Sequence, residues 1–274
     1  MTRSRFNRLV LGCVGGAAAV LVAVGPQHVA VEAQGTSGTI VGHVRLTAPA
    51  PPSPVIRMGG DPKCSAAAGG KRVTQDFVVR SADGGLANTF VNLQGSFPAT
   101  PVPTEPVTLD QRGCIFVPRM IGVRVGQAIQ VMNSDDTAHN VHSLSTRGGN
   151  AFNVSQPRKG MTNRLPVKSE DVVMRIKCDL HPWMVAWVGV VPHPYFAVSG
   201  GDGSFTIARV PPGRHTIQTW HEAYGRLTRT VDVKAGQTTT VDFVYTGKEK
   251  PGTADVRDLV IPGDAEAVTL IAGR

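Results

Sequence analysis

Three features of the chain predict an all-β fold. Glycine and proline punctuate it densely, at 31 and 20 of 274 residues. The apolar runs between these breakers are short, and several alternate apolar with polar residues. No stretch sustains a long helical period. A hydrophobic fraction of 41% fills a packed core, which excludes wholesale disorder. The formal charge of +8 is diffuse, and without a run of lysine and arginine it marks no nucleic-acid patch.

The elements follow in chain order. Arg3, Arg5 and Arg8 precede an apolar stretch from Leu9 to Val24, and small residues lead to Val31-Glu32-Ala33. This is the pattern of a secretory signal peptide over residues 1–33, cleaved before Gln34. The apolar stretch is rich in glycine and alanine and short for a membrane span. The expectation is a periplasmic or secreted protein with no stable membrane insertion after cleavage. Its charge is +6, because three arginines and one glutamate leave with the peptide. Gly38 to Leu46 alternates and reads as a strand. A proline-rich turn from Ala48 to Pro54 and a loop carrying Cys64 follow it. Leu86 to Leu93 reads as a second strand, and residues 98–106, with four prolines, as a linker. Further strands are expected at Phe116 to Met120, Ala128 to Asn133, around His139 to Ser143, Asp171 to Cys178 and Trp183 to Val191. A strand and turn from Gly203 to Gly213, then His215 to Trp220, Thr228 to Val233 and Thr238 to Tyr245, complete an antiparallel set. Residues 247–274 form a C-terminal tail whose placement the sequence does not indicate.

Export changes the reading of the cysteines. Cys13 leaves with the signal peptide, and too little apolar sequence precedes it for a lipoprotein site. Cys64, Cys114 and Cys178 remain, and an odd number in an oxidising compartment means one disulfide and one special thiol, or three free thiols. Only Cys178 has chemistry-bearing neighbours, so Cys64 is expected to pair with Cys114.

Those neighbours form one motif. Cys178-Asp-Leu-His181-Pro-Trp-Met184 places a thiolate, an imidazole and a thioether in a seven-residue loop joining two expected strands. An upstream strand supplies His139 within Thr137-Ala-His139-Asn-Val-His142. Two imidazoles and a thiolate with a weak axial methionine are the ligand set of a blue-copper electron-transfer site. A catalytic zinc ion prefers nitrogen and oxygen ligands with an open water position, and methionine serves it poorly. Residues three apart on a strand point to opposite faces, so His139 and His142 cannot both face one metal.

Residues 108–192 resemble the cupredoxins, and the amicyanin type in particular. The resemblance rests on Asn133-Ser-Asp135, His139-Asn140, the Cys178 to Met184 loop, and the Phe116-Val-Pro and Val125-Gly126-Gln127 elements. It implies a cupredoxin Greek-key β-sandwich over residues 105–192 that holds one type 1 copper ion through His139, Cys178, His181 and Met184. It further implies that Asn140 and Pro182 stand next to the ligands, Asn140 tying the two ligand loops together, and that His142 lies at the surface or behind the ligands. The histidine of the loop is the electron exit in such proteins. The His181 ring edge is therefore expected at the surface in an apolar patch with Leu180 and Trp183.

The flanks resemble a different module. Gly38-Thr-Ile-Val-Gly-His-Val, Leu86-Ala-Asn-Thr-Phe-Val-Asn-Leu and Asp202-Gly-Ser-Phe-Thr-Ile-Ala-Arg-Val-Pro-Pro-Gly-Arg-His-Thr-Ile look like the transthyretin-like carboxypeptidase regulatory domain, with about a hundred residues between its two parts. The economical reading inserts the copper module into a second, transthyretin-like β-sandwich made of residues 35–104 and 193–246, since insertion into exposed loops is well tolerated. The other reading sets two β domains in series. Trp220-His221-Glu222 has the look of half a zinc-protease motif but lacks the second histidine and falls in an expected strand, so a packing or surface role is expected there, and packing of the domain junction for His193 and Tyr195.

Two functions fit this pattern. One is a non-enzymatic carrier of single electrons between redox proteins, with an acidic c-type cytochrome or periplasmic dehydrogenase as partner. The other is a copper-sequestering protein, or a β module that docks carbohydrate or protein without electron transfer.

Overall fold

The computed structural model describes residues 36–70 and 72–251. The expected signal peptide and residues 252–274 of the tail lie outside the described residues. The fold is all-β, with 47% strand and 4% helix among the described residues.

Strand Gly38–Leu46 alternates buried and half-buried residues along its whole length, as period-two patterning over a single core requires. It pairs antiparallel with Ser204–Val210 and parallel with Thr238–Thr240 and Phe243–Tyr245. A second sheet runs in the order Phe196–Val198, Phe90–Gln94, Gly213–His221, Gly225–Val233. Ile40, Val44 and Phe243 from the first sheet and Leu93, Ile217 and Val231 from the second share one core.

Residues 107–191 build two further sheets. One has the order Asn153–Gln156, His139–Ser143, Asp171–Lys177, Val185–Val191, Met120–Arg124, and the other Thr162–Pro166, Ala128–Asn133, Val107–Gln111, Phe116–Val117. Leu109, Ile129 and Val131 of the second sheet pack with Val141, Met174 and Ile176 of the first. Strand Val185–Val191 is buried at every position, which accounts for its unbroken apolar run. Ala186, Val188 and Val190 face this core, whereas Val185, Trp187 and Val191 face a third cluster with Phe90 and Trp220 from the flanking sheet. Glycine is required where the two sheets touch. Gly189 lies opposite Gly122, and a Cβ would fall 2.4 Å from the Phe90 ring at Gly189 and 2.5 Å from the Phe196 ring at Gly122. At the rim, the Arg119 guanidinium donates to both carboxylate oxygens of Glu222, at 2.5 and 2.7 Å.

Several expected elements differ from the observed ones for identifiable reasons. The strand expected from Leu86 begins only at Phe90, because Asn88 adopts a left-handed conformation, φ 58°, that breaks the extended run. The strand expected at Phe116 to Met120 divides between the two sheets around Pro118, which has no N–H to donate to a ladder. Thr238 to Tyr245 divides where the Asp242 carboxylate takes the His43 N–H that a backbone partner would have taken. The loop carrying Cys64 holds a short helix, Pro62–Ala67, capped by the Asp61 side chain. An aspartate before a proline at the first helical position was the available signal. Strands Val55–Arg57, Arg72–Thr74, Val107–Gln111, Asn153–Gln156, Thr162–Pro166 and Phe196–Val198 fall where no strand was expected.

Candidate metal centre

Strand His139–Ser143 lies beside Asp171–Lys177, with Lys177 opposite His142, so the turn after Lys177 reaches the start of the histidine strand. The pleat separates the two histidines. His139 is wholly buried, whereas His142 is half-buried and bonds the Asp179 carboxylate through Nδ1 at 3.0 Å. The turn is closed by Met184 N–H donating to the His181 carbonyl at 2.8 Å and Cys178 N–H to the Met184 carbonyl at 3.2 Å.

This closure brings three donors together. Ligand atoms of His139, Cys178 and His181 all lie within 4.8 Å of one another, and all three residues are buried. The two Nδ1 atoms are 3.0 Å apart, and the Cys178 Sγ is 3.7 Å from Nδ1 of His181. Met184 is wholly buried in the same cluster as Cys178. Asn140 links the two segments. Its backbone N–H donates to the Cys178 Sγ at 3.5 Å, and its side chain accepts from the Asp179 N–H at 2.6 Å and donates to the Asp179 carboxylate at 2.7 Å. Pro182 is exposed on the outside of the turn.

The outer nitrogens meet carboxylates. Nε2 of His139 lies 3.1 Å from Asp135, and Nε2 of His181 lies 3.0 Å from Asp61. A carboxylate only accepts, so each Nε2 carries a proton and Nδ1 is the nitrogen that each ring turns toward the site. Each carboxylate also accepts the backbone N–H of a half-cystine. Asp135 takes that of Cys114 at 2.8 Å and Asp61 that of Cys64 at 3.0 Å. Cys64 and Cys114 form the expected disulfide, with Cα atoms 5.4 Å apart, and Cys178 is the free thiol.

The charges of the site respond to this packing. Burial pushes the Cys178 thiol up, but hydrogen bonds from His139, His181 and the Asn140 backbone outweigh it and bring the thiol down to about 6. Burial pushes His139 down, and its bonds to Asp135 and Cys178 reverse this and raise it to about 9. Burial raises Asp61, yet bonds from Cys64, His181, Thr137 and Lys63 hold it at about 2. The hydrogen bonds that orient the two imidazoles thus also draw the Cys178 sulfur toward the thiolate, the form that ligates a metal.

One expectation is corrected. The His181 ring edge does not reach the surface; the residue is 4% exposed, because the segment with Asp61 and the Pro62–Ala67 helix covers its Nε2. Leu180 is 58% exposed beside it, and Trp183 is half-buried, its indole N–H donating to the Cys114 carbonyl at 2.9 Å. Sequence reasoning missed Asp61, which stands 120 positions from His181 and is brought there by tertiary packing. The Trp220-His221-Glu222 motif is a packing element. His221 is buried and lowered to about 3 by burial and by Arg119, and the Trp220 ring packs at a tilt against Trp187, centroids 4.9 Å apart. His193 and Tyr195 pack with Phe97.

No family model and no curated protein matches the chain. Among solved structures it is similar to a copper-containing nitrite reductase from Thermus scotoductus SA-01, with 20% identity over 35% of this chain and a TM-score of 0.30. The chain spans about a quarter of that enzyme, the match covering 24% of its length. It is also similar to a purple cupredoxin from Nitrosopumilus maritimus, with 22% identity over 31% of this chain and 98% of that one, TM-score 0.27. Similarity to an amicyanin variant in the Cu(I) form is 21% identity over 36% of this chain and 97% of that one, TM-score 0.28.

Proposed function

We propose that this chain is a one-electron carrier, not an enzyme, built around a type 1 copper ion held by His139, Cys178, His181 and Met184. The observation that carries this reading is the buried convergence of two imidazole Nδ1 atoms and one thiolate, with both outer nitrogens already committed to carboxylates. When bound, copper supplies a Cu(II)/Cu(I) couple. The chain supplies rigidity. Each imidazole is fixed in tautomer and orientation by a carboxylate, and Asn140 locks the loop of Cys178 against the strand of His139. A site preset in this way changes little between oxidation states. Sequestration calls for exposed, exchangeable ligands, and burial of all three donors speaks against it.

The copper module is read as an insertion at residues 105–192 within a transthyretin-like sandwich of residues 35–104 and 193–246. The antiparallel pairing of Gly38–Leu46 with Ser204–Val210 supports this. A periplasmic or secreted location, after removal of residues 1–33, fits the disulfide, and no helix among the described residues is long and apolar enough to cross a membrane. The expected partner is an acidic redox protein, such as a c-type cytochrome or a periplasmic dehydrogenase, steered by the net positive charge.

The deciding experiment is copper loading followed by a mild reductant. Reversible bleaching of an intense blue colour supports the reading, and a colourless or irreversibly reacting protein overturns it. Met184→Leu is expected to keep copper but raise the reduction potential, because losing the axial thioether favours Cu(I). A potential that stays put or falls in voltammetry removes Met184 from the ligand set. Leu180→Glu should slow electron exchange in stopped-flow mixing at unchanged potential, since it places a charge on the exposed apolar side chain beside the site. An unaltered rate moves the docking surface elsewhere.

A further inference from the structure

The side of His181 that faces away from Cys178 is covered by a built segment. Ile56 and Met58 bury their side chains in the core of the copper module, and the Pro62–Ala67 helix follows, tied down by the Cys64–Cys114 disulfide. At the start of that helix the Asp61 carboxylate is fixed from several sides. One oxygen accepts the N–H groups of Lys63 and Cys64, at 2.8 and 3.0 Å. The other accepts the Thr137 hydroxyl at 3.1 Å and the His181 Nε2–H at 3.0 Å. Thr137 stands two residues before His139, so the same carboxylate joins the helix, the strand of one ligand and the ring of the other.

Resting on the type 1 reading above, we propose that Asp61 is a positioning residue for His181 that sets the preference of the site for Cu(II) over Cu(I). A carboxylate bonded to the outer nitrogen of a ligand imidazole fixes the ring and raises its basicity. The stronger donor favours the more highly charged ion, and an anion near the site stabilises Cu(II) by direct attraction. Asp61 therefore holds the potential below the value the same ligands would give with the ring edge open to water. The disulfide keeps the carboxylate in place, because the helix it caps has only six residues and would not persist alone.

The test uses the full chain in its metal-free and copper-loaded forms, with Asp61→Asn and Asp61→Glu. Asparagine caps helices as well as aspartate does, so the first variant removes the charge and keeps the helix start. In the metal-free wild type, nitrogen-detected NMR should show His181 protonated at Nε2 with slow exchange of that N–H, and Asp61→Asn should speed the exchange. With copper, Asp61→Asn should lower Cu(II) affinity roughly 10–100-fold. Cu(I) affinity should change less, and the potential should rise by about 59 mV for each tenfold difference. Asp61→Glu, which restores a carboxylate, should lie closer to wild type on both measures. An Nδ1–H tautomer in the wild type overturns the proposal even if no variant folds. So does a folded Asp61→Asn protein, disulfide intact, with wild-type ring exchange and an unchanged ratio of Cu(II) to Cu(I) affinity. If the wild type loads copper without the intense band, the type 1 reading fails, and the metal-free NMR comparison still decides whether Asp61 positions His181.

Discussion

Replacing Cys178 by serine is expected to abolish the intense visible band of the copper-loaded protein while leaving the chain folded. The colour of a type 1 site arises from charge transfer between a thiolate sulfur and copper, and a serine oxygen has no orbital of comparable energy to offer. The fold has little reason to fail. Cys178 is wholly buried, but the smaller hydroxyl keeps an acceptor for the Asn140 N–H that the sulfur takes at 3.5 Å. The Met184 and His181 backbone bonds that close the turn do not involve the side chain. Absorption spectra with circular dichroism on the same sample separate the two effects. Full blue colour in a folded Cys178→Ser protein would remove this residue from the metal site and the function proposed with it.

How far the site could be read from sequence depends on which links are local. The Cys178 to Met184 loop is short and was legible as a pattern; the strand pleat excluded only that His139 and His142 share one face, and family resemblance chose His139. Asn140 was legible through family resemblance, and its side chain does bridge to Asp179. Asp61 was not legible as a site residue, since nothing in the loop carrying Cys64, 120 positions upstream of His181, says that it will land on that ring. The expectation of an open ring edge failed for that reason. The strands show the same division. Gly38–Leu46 and Ala128–Asn133 alternate over one core and were read with their boundaries intact. Asn153–Gln156 and Thr162–Pro166 are sheet edges made mostly of polar residues, with few buried positions to impose a period. The fully buried strand Val185–Val191 has no alternation at all, because two cores claim its two faces.

Removing the disulfide is expected to have the largest effect on stability. Cys64 and Cys114 are 50 positions apart, and a loop of that length restricts the unfolded chain enough to stabilise the fold by roughly 4 kcal/mol in the chain-entropy model. For a protein of this size that corresponds to a fall of about 10 °C in Tm for the metal-free Cys64→Ala/Cys114→Ala variant. The loss should not stop at global stability. The bridge joins the two backbone sites whose N–H groups hold Asp61 and Asp135, and those carboxylates hold His181 and His139. Opening it frees the capped helix first, because Asp61 is on the exposed side of the site, whereas Asp135 also takes the Gly113 N–H at 2.7 Å and is buried. The variant should therefore bind copper with a weakened hold on His181 and a largely intact hold on His139. Thermal unfolding followed by circular dichroism measures the first effect, and ring N–H exchange of the two histidines in the metal-free protein measures the second. A Tm equal to that of the oxidised wild type would show that the bridge does not restrain the unfolded chain. Equal loosening of both rings would show that the two carboxylates do not depend on it differently.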